Sequence, residues 1–433
     1  MKGYTRVLST GLVFLYFYSA FSFAQNQDEQ IKALVTKVSP KVVSWRRDIH
    51  QNPELGNRET RTAALVAAHL RELGMEVTTG VAHTGVVGLL KGGKPGPVVG
   101  LRADMDALPV VEKTDVPFAS KVRTNYNGQE VGVMHACGHD AHTAILMGVA
   151  EVLQGMQKDL HGSVKFIFQP AEEGPPKGEE GGATMMIAEG VLDNPKPDAM
   201  FALHAFTQPK GVLAYRAGGI MAGADGLHIT VEGRQTHGGV PWAGADPIVV
   251  ASQIVLALQL IPSRQIKITA PVVISIGSIH GGLRGNIIPA KVEMEGTIRI
   301  LDPSVRDEVL QRIRQTATNI AESSGTKAVV TITRYAPVNY NDPALTARML
   351  PTLKRVAGAG LKEVPPVMPS EDFAFFQEKI PGLYFFLGIN AENVTQKEAA
   401  TNHSPYFYIN EDALPLGVKA LSTLAVDFLN KYN

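Results

Sequence analysis

The chain has 433 residues, 45% of them hydrophobic and 19% charged, so it is long and apolar enough to bury more than one core and is not a disordered segment. Its 41 basic and 41 acidic residues cancel, which argues against nucleic acid or an anionic membrane surface as a partner. Its single cysteine excludes an internal disulfide.

The first residues read as an address rather than as fold. Lys2 and Arg6 form a basic start, an apolar stretch runs from Val7 to about Phe21, and Ser22-Phe23-Ala24 offers small residues, Ser22 and Ala24, at the positions a signal peptidase reads. That stretch is short for a membrane span, and polar sequence follows at once. Residues 1–24 are therefore expected to be a signal peptide cleaved after Ala24, leaving an exported, periplasmic or secreted chain with no membrane span after processing.

Helical periodicity follows at about 29–51 and 59–73, the second stretch closed by Gly74. Short apolar runs at 97–101, 164–168, 199–203 and 383–387 read as buried strands, separated by helical patterns such as 141–156. This alternation predicts an α/β fold, a mainly parallel sheet with helices on both faces. The interval 224–336 breaks the rhythm, with strands at 226–232, 271–278, 291–300 and 327–334 and helices at 247–261 and 303–322. The order β-α-β-β-α-β is that of a ferredoxin-like unit. It predicts an inserted α+β domain over 224–336, inside a domain built from 25–223 and 337–433.

The stretch MHACGHDAH, residues 134–142, holds three of the twelve histidines and the only cysteine, Cys137. Cys137 and His139 follow the apolar VGVM, QPAEE ends on Glu172 and Glu173 after the run 164–168, His204 closes AMFAL, and His403 lies downstream of LYFFL. Four segments thus deliver metal-type ligands beyond expected strand ends, where open α/β sheets build ligand sites. Singly, a buried cysteine is packing, a lone histidine a satisfied polar group and a glutamate pair a solvated surface. Together they point to a metal site.

LRADMDALP, MHACGHDAH, QPAEEG, ALHA, GGLRGNIIPAKVEMEGTIR, MPSEDFAFF and a late NHSP occur in that order. In this the chain resembles the metallo-amidohydrolases that include aminoacylases, hippurate hydrolases and indole-acetyl-amino-acid hydrolases, over nearly the whole mature chain. The resemblance implies a two-metal catalytic domain with an inserted lid domain, a bridging Cys137, further ligands His139, Glu173, His204 and His403, and Glu172 as general base. Two divalent ions are implied; a thiolate bridge favours zinc, manganese, cobalt or nickel. The expected substrate is a small N-acyl amino acid or short peptide, hydrolysed at its amide. The resemblance also implies that His237, Asn286 and Arg299 of the lid reach the active site, sometimes from a partner subunit, and that the chain forms a homodimer. His237 and Asn286 suit an oxyanion and Arg299 a substrate carboxylate. A solvated strand charge is the plainer reading of Arg299.

Asp104, Asp106 and Asp140 are expected either to orient ligand imidazoles or to cap turns, and His135 and His142 either to support the site or to pack. Where many relatives have Pro-His, this chain has Pro241-Trp242, which suggests a more apolar acyl or side-chain pocket. A dipeptidase or carboxypeptidase of the same chemistry is the alternative. A non-catalytic binding protein is a third reading, disfavoured by Glu172, since a binder needs no base.

Overall fold

The computed structural model describes residues 8–392, 394 and 397–430, with side chains from Gln27 onward. Lys2 and Arg6 of the expected export signal lie outside these residues. The chain divides into two compact units: Met1–Tyr215 with Ala344–Glu363 and Ile380–Asn433, and Arg216–Pro343 with Val364–Lys379.

The first unit is built on an eight-stranded sheet. Its strands are β1 (Glu76–Val81), β2 (Gly85–Lys91), β3 (Lys94–Asp104), β4 (His161–Gln169), β5 (Ala199–Pro209), β6 (Leu213–Tyr215), β7 (Leu361–Glu363) and β8 (Gly382–Asn390), in the spatial order β1-β2-β4-β3-β5-β8-β6-β7. The central β4, β3, β5 and β8 are parallel neighbours. Every residue of β8 is buried, so this strand is covered on both faces, as parallel strands require.

Helices α1 (Leu8–Gln51), α2 (Thr60–Glu72), α3 (His139–Gly155) and α4 (Leu414–Asn430) belong to the same unit. Ile31, Val35, Val38, Val42 and Ile49 recur at helical spacing along α1, and that stripe is its buried face. Burying each such side chain contributes roughly 1.5–3 kcal/mol. Helix α1 crosses α3 closely because residue 148 is glycine: a Cβ there would stand 2.6 Å from Val42 Cγ2.

In the second unit, strands Gly223–Glu232, Val272–Gly281, Lys291–Ile300 and Lys327–Ala336 form an antiparallel sheet. Gly223–Glu232 lies between Lys291–Ile300 and Lys327–Ala336, and Val272–Gly281 is an edge. Helices Pro247–Leu258 and Arg306–Ser323 complete the ferredoxin-like order, sharing a core with Val231, Ile254, Met294 and Ile313. Asp246 starts the first of them, its carboxylate accepting from the backbone N–H groups of Ile248 and Val249 ahead of Pro247. Among the described residues, Pro247–Gln265 is the one helix long and apolar enough, by length and composition, to cross a membrane. Its Val250, Ala251, Ile254 and Leu258 are buried in the second unit's core, whereas Ile248, Val249, Leu256 and Leu260 are exposed.

The unit boundaries differ from the sequence expectation. The second unit starts at Arg216 and ends at Pro343, rather than spanning 224–336, and it also takes in Val364–Lys379, which was expected with the catalytic part. Long-range bonds explain the difference: Ala222 N donates to Val367 O at 3.0 Å, Val367 N to Ile220 O at 3.0 Å, and Gln377 Nε2 to Asn341 Oδ1 at 3.1 Å.

Candidate active site and metal centre

The site assembles in the first unit around the start of α3. Gly138 caps this helix with φ of 103°, and a Cβ there would sit 3.0 Å from Ala205 Cβ. Both facts call for glycine between Cys137 and His139. The VGVM run before Cys137 does not extend the sheet as expected. Gln129–Gly132 pairs instead with Arg123–Tyr126 in a separate hairpin, and Met134 makes a lone bridge to Leu108. His204 lies within β5 rather than beyond its end.

Hydrogen bonds fix the imidazole tautomers. Ala205 N donates to His142 Nε2 at 2.7 Å, so the His142 proton sits on Nδ1, 2.6 Å from Asp104 Oδ1. With both nitrogens engaged, His142 braces the site and has no lone pair left for a metal, although Asp104, His139 and His142 cluster closely. Burial alone would raise the Asp104 carboxyl, but His139, His142 and Arg102 hold it well below the usual carboxylate range.

His139 behaves differently. Its Nδ1 donates to Asp106 O at 2.8 Å, which leaves the Nε2 lone pair facing inward, buried and without a hydrogen-bond partner. His204 repeats the pattern: Nδ1 donates to Ala205 O at 2.8 Å, and Nε2 stands 3.4 Å from Cys137 Sγ. Glu173 N donates to Asp106 Oδ2 at 2.9 Å, and the Glu173 carboxylate meets His403 Nε2 at 2.9 Å. His403, at φ of 72°, is anchored by its own N–H to Ala136 O at 2.7 Å. Cys137, His139 and His204 offer ligand atoms within 4.8 Å of one another, as do Cys137, Glu173 and His403. Cys137 is the one residue these two groups share. Glu172 Oε2 lies 3.8 Å from His139 Nε2.

The electrostatics favour a cation. Burial, then Glu173, Glu172 and Asp104, push the Cys137 thiol well above its ordinary value, so it ionises only against a nearby positive charge. Burial opposes charge on His139, yet Asp104, Asp106 and Glu173 raise it to about 10, so these carboxylates favour a positive charge at Nε2 that a bound metal ion would supply in place of the proton. Hydrogen bonding to Glu173 raises His403. Burial holds His204 well below its usual value, neutral and ready to donate its lone pair. Aimed imidazole nitrogens, one thiol and a carboxylate suit borderline divalent ions.

Other residues brace this frame. Asp140 takes Arg46 Nε at 2.7 Å and His50 Nδ1 at 2.8 Å, and His50 Nε2 reaches Glu112 Oε1 at 3.1 Å. Asn402 Nδ2 donates to Cys137 O at 3.0 Å and Ala205 O at 3.1 Å, tying the His403 loop to both ligand turns. Sequence reasoning missed Asn402, whose signal was its place directly before His403. His135 is buried with neither ring nitrogen hydrogen-bonded, and burial holds it neutral, down to about 3. It packs.

The remaining expected residues lie in the second unit. His237 and Ile287 pair across a two-stranded ribbon, and Gly238 N donates to Asn286 O at 2.8 Å, so His237 and Asn286 are brought together, both exposed. Arg299, on Lys291–Ile300, is partly buried and donates from Nη1 to Ser370 Oγ at 3.2 Å. Trp242 is 79% exposed in the one-turn helix Pro241–Ala243.

With a mainly parallel sheet and a cysteine-centred ligand cluster in place, comparison with known proteins assigns the class. The pattern of Peptidase family M20/M25/M40 matches residues 100–427, and the chain belongs to that family. It is a metal-dependent hydrolase of the family. It is 42% identical over 406 residues to thermostable carboxypeptidase 2 of Saccharolobus solfataricus, covering 93% of this chain and 99% of the relative. It is 37% identical over 412 residues to IAA-amino acid hydrolase ILR1-like 2 of Arabidopsis thaliana, covering 93% and 89%. The crystal structure of Bacillus subtilis YXEP, described as a dinuclear metal-binding peptidase, superposes with a TM-score of 0.75 at 34% identity, over 92% of this chain and 99% of that one.

Proposed function

We propose that the chain hydrolyses the amide bond of N-acyl amino acids, releasing a carboxylic acid and a free amino acid. The observation that carries this reading is Cys137 shared between two ligand groups, His139 with His204 and Glu173 with His403, while Glu172 stands beside them. These five residues would hold two divalent ions with Cys137 as the bridge, in line with the dinuclear relative. Bound there, the ions supply carbonyl polarisation and a water of lowered pKa. Glu172 takes the proton of the attacking water and returns it to the leaving amine. Arg299 pairs with the carboxylate of the amino-acid half, and His237 with Asn286 donates to the developing oxyanion. Trp242, standing where many relatives have histidine, would favour substrates with an apolar acyl group or side chain.

The reaction also fits a peptide whose last residue leaves as a free amino acid, and identity to a carboxypeptidase favours that second reading. The test takes the chain from Gln25, stripped of metal and reloaded with manganese, cobalt or zinc, against N-acetyl, N-benzoyl and indole-acetyl amino acids beside dipeptides. Metal-dependent release from acyl amino acids, lost in Glu172→Gln, supports the first reading. Release from dipeptides alone supports the second, and no release from any substrate by metal-loaded protein counts against both.

We infer further that the chain is exported, cut after Ala24, on the basic start at Lys2 and Arg6, the apolar stretch that follows and the small residues Ser22 and Ala24. Periplasmic or culture-fluid recovery of a chain starting at Gln25 is the expected result. A homodimer through the edge strand Val272–Gly281 is the assembly proposed here. In support, Val273 and Ile279 on that strand and Ile248, Val249 and Leu256 on the neighbouring helix are exposed apolar groups. Sedimentation giving only monomer would overturn it.

A further inference from the structure

The turn between α1 and α2 touches the loop after β4, which carries Glu172 and Glu173, at several points. A Cβ on Gly56 would stand 2.9 Å from Gly174 O and 3.1 Å from Ala171 Cβ, so the two backbones lie in direct contact. Asn57 Nδ2 donates to Glu180 O at 2.9 Å and Glu179 Oε2 at 3.1 Å, holding the far end of the loop. Between these contacts sits Glu59, fully buried, with both carboxylate oxygens in use. Ala171 N donates to Oε1 at 2.8 Å, and the Thr84 hydroxyl donates to Oε2.

Ala171 is the residue directly before Glu172, and its φ of 49° lies in the left-handed region, which an alanine adopts only when its surroundings impose it. The imposed contact is visible: its N–H is bonded to a buried carboxylate. On the other side of Glu172, Glu173 N is bonded to Asp106 Oδ2. The base is therefore held between two backbone N–H groups, each fixed by an acidic side chain from a different segment. Burial, then the charge of Asp106, raise the Glu59 carboxyl to about 7, so an ionisable group is kept where its charge is costly. A hydrophobic residue would fill the same volume without that cost, but it would leave Ala171 N–H buried and unbonded.

We propose that Glu59 is a positioning residue for the base: its carboxylate imposes the left-handed turn at Ala171 and so fixes where the Glu172 carboxylate stands. Glu59 does not itself bind metal or move the proton. The inference rests on the assignment of Glu172 given above.

The test compares metal-loaded wild type, Glu59→Leu and Glu59→Gln by hydrogen–deuterium exchange, bound-metal content and steady-state kinetics. In Glu59→Leu, exchange rises in 169–181 and not elsewhere in the first unit, metal content stays at the wild-type level, and kcat falls about 10- to 100-fold with KM unchanged, as a misplaced catalytic group does. Glu59→Gln, whose amide oxygen still accepts from Ala171 N, restores both exchange and kcat. If Glu59→Leu does not fold, Glu59→Asp replaces it; one methylene too short for Ala171, it is expected to show the same exchange and kcat changes. Unchanged exchange at 169–181 overturns the proposal, as does a kcat loss that tracks lost metal or a glutamine variant no better than leucine. If wild type cleaves no substrate, the exchange comparison alone decides the role of Glu59, and the failure belongs to the reaction assigned to Glu172.

Discussion

The two groups of candidate residues contrast sharply in how they are held. In the first unit, Cys137, His139, His204 and Glu173 are buried or nearly so, backbone carbonyls fix the working atoms of His139 and His204, and His403, itself exposed, is held by its backbone N–H and by the Glu173 carboxylate. In the second unit, His237, Asn286 and Trp242 are exposed, and Arg299 has one side-chain partner, Ser370. The groups assigned to bond-breaking are pre-organised by the fold, whereas those assigned to recognition are left to be ordered by what they bind. Electrostatic catalysis benefits from the first arrangement, because dipoles already in place need no reorganisation during reaction.

The contrast yields graded predictions. The largest effect is expected for Glu172→Gln: kcat falls by roughly 10²- to 10⁴-fold while metal content is unchanged, measured by turnover and metal analysis on one preparation. Loss of metal in this variant would mean that Glu172 is itself a ligand, and the division of roles between the adjacent glutamates would collapse. Next is Asp106→Asn, which leaves the backbone carbonyl on His139 Nδ1 in place but weakens the two side-chain contacts of Asp106, Oδ1 to His139 Nδ1 at 3.2 Å and Oδ2 to the Glu173 N–H at 2.9 Å. Metal affinity weakens about 10- to 100-fold by competition with a chelator. A variant that binds metal as wild type does would show that the Asp106 side chain is not what prepares the site.

Arg299→Ala probes the looser set. KM for carboxylate-bearing substrates rises about tenfold or more, the worth of a charge-assisted hydrogen bond, with kcat little changed. An equal fall in kcat would place Arg299 in the transition state and narrow the difference between the units. The smallest effect concerns pH. Burial disfavours charge on His50, but Asp140 and Glu112 overcome it and raise its pKa above 6.5. A group raised on folding contributes stability that is fully present below its unfolded value, near 6.5, and is lost as pH rises through the folded value. His50→Gln should therefore cost more stability in denaturant melts at pH 5.5 than at pH 9. The reverse order would show that His50 works as a neutral packing ring.

Much of this was legible in the sequence because it is local. MHACGHDAH and QPAEE bring ligand, cap and base within a few residues, and the period switch at 224–336 marks the inserted sheet without any knowledge of pairing. The groups that prepare the ligands were not legible. The carbonyls of Asp106 and Ala205 and the N–H of Ala205 are backbone atoms that every residue type carries, so only register reveals them. Glu59, Arg46 and Asn402 act across separations that leave no periodic trace. Val364–Lys379 was misplaced for the same reason, since its partners at Ile220, Ala222 and Asn341 are distant in sequence.

The buried, carboxylate-ringed Cys137 has a consequence for durability. Oxidative damage to cysteine proceeds from the thiolate, first to sulfenic acid and then irreversibly onward. When metal is withdrawn, the carboxylates around the sulfur have no cation to offset them and favour its protonated form, and a buried, protonated thiol is a poor target for peroxide. With no second cysteine in the chain, the sulfur has no internal partner with which to form a mispaired disulfide. Demetallated protein should therefore store well in air and regain its metal on demand, its one sulfur protected by the same acidic surroundings that attract the metal.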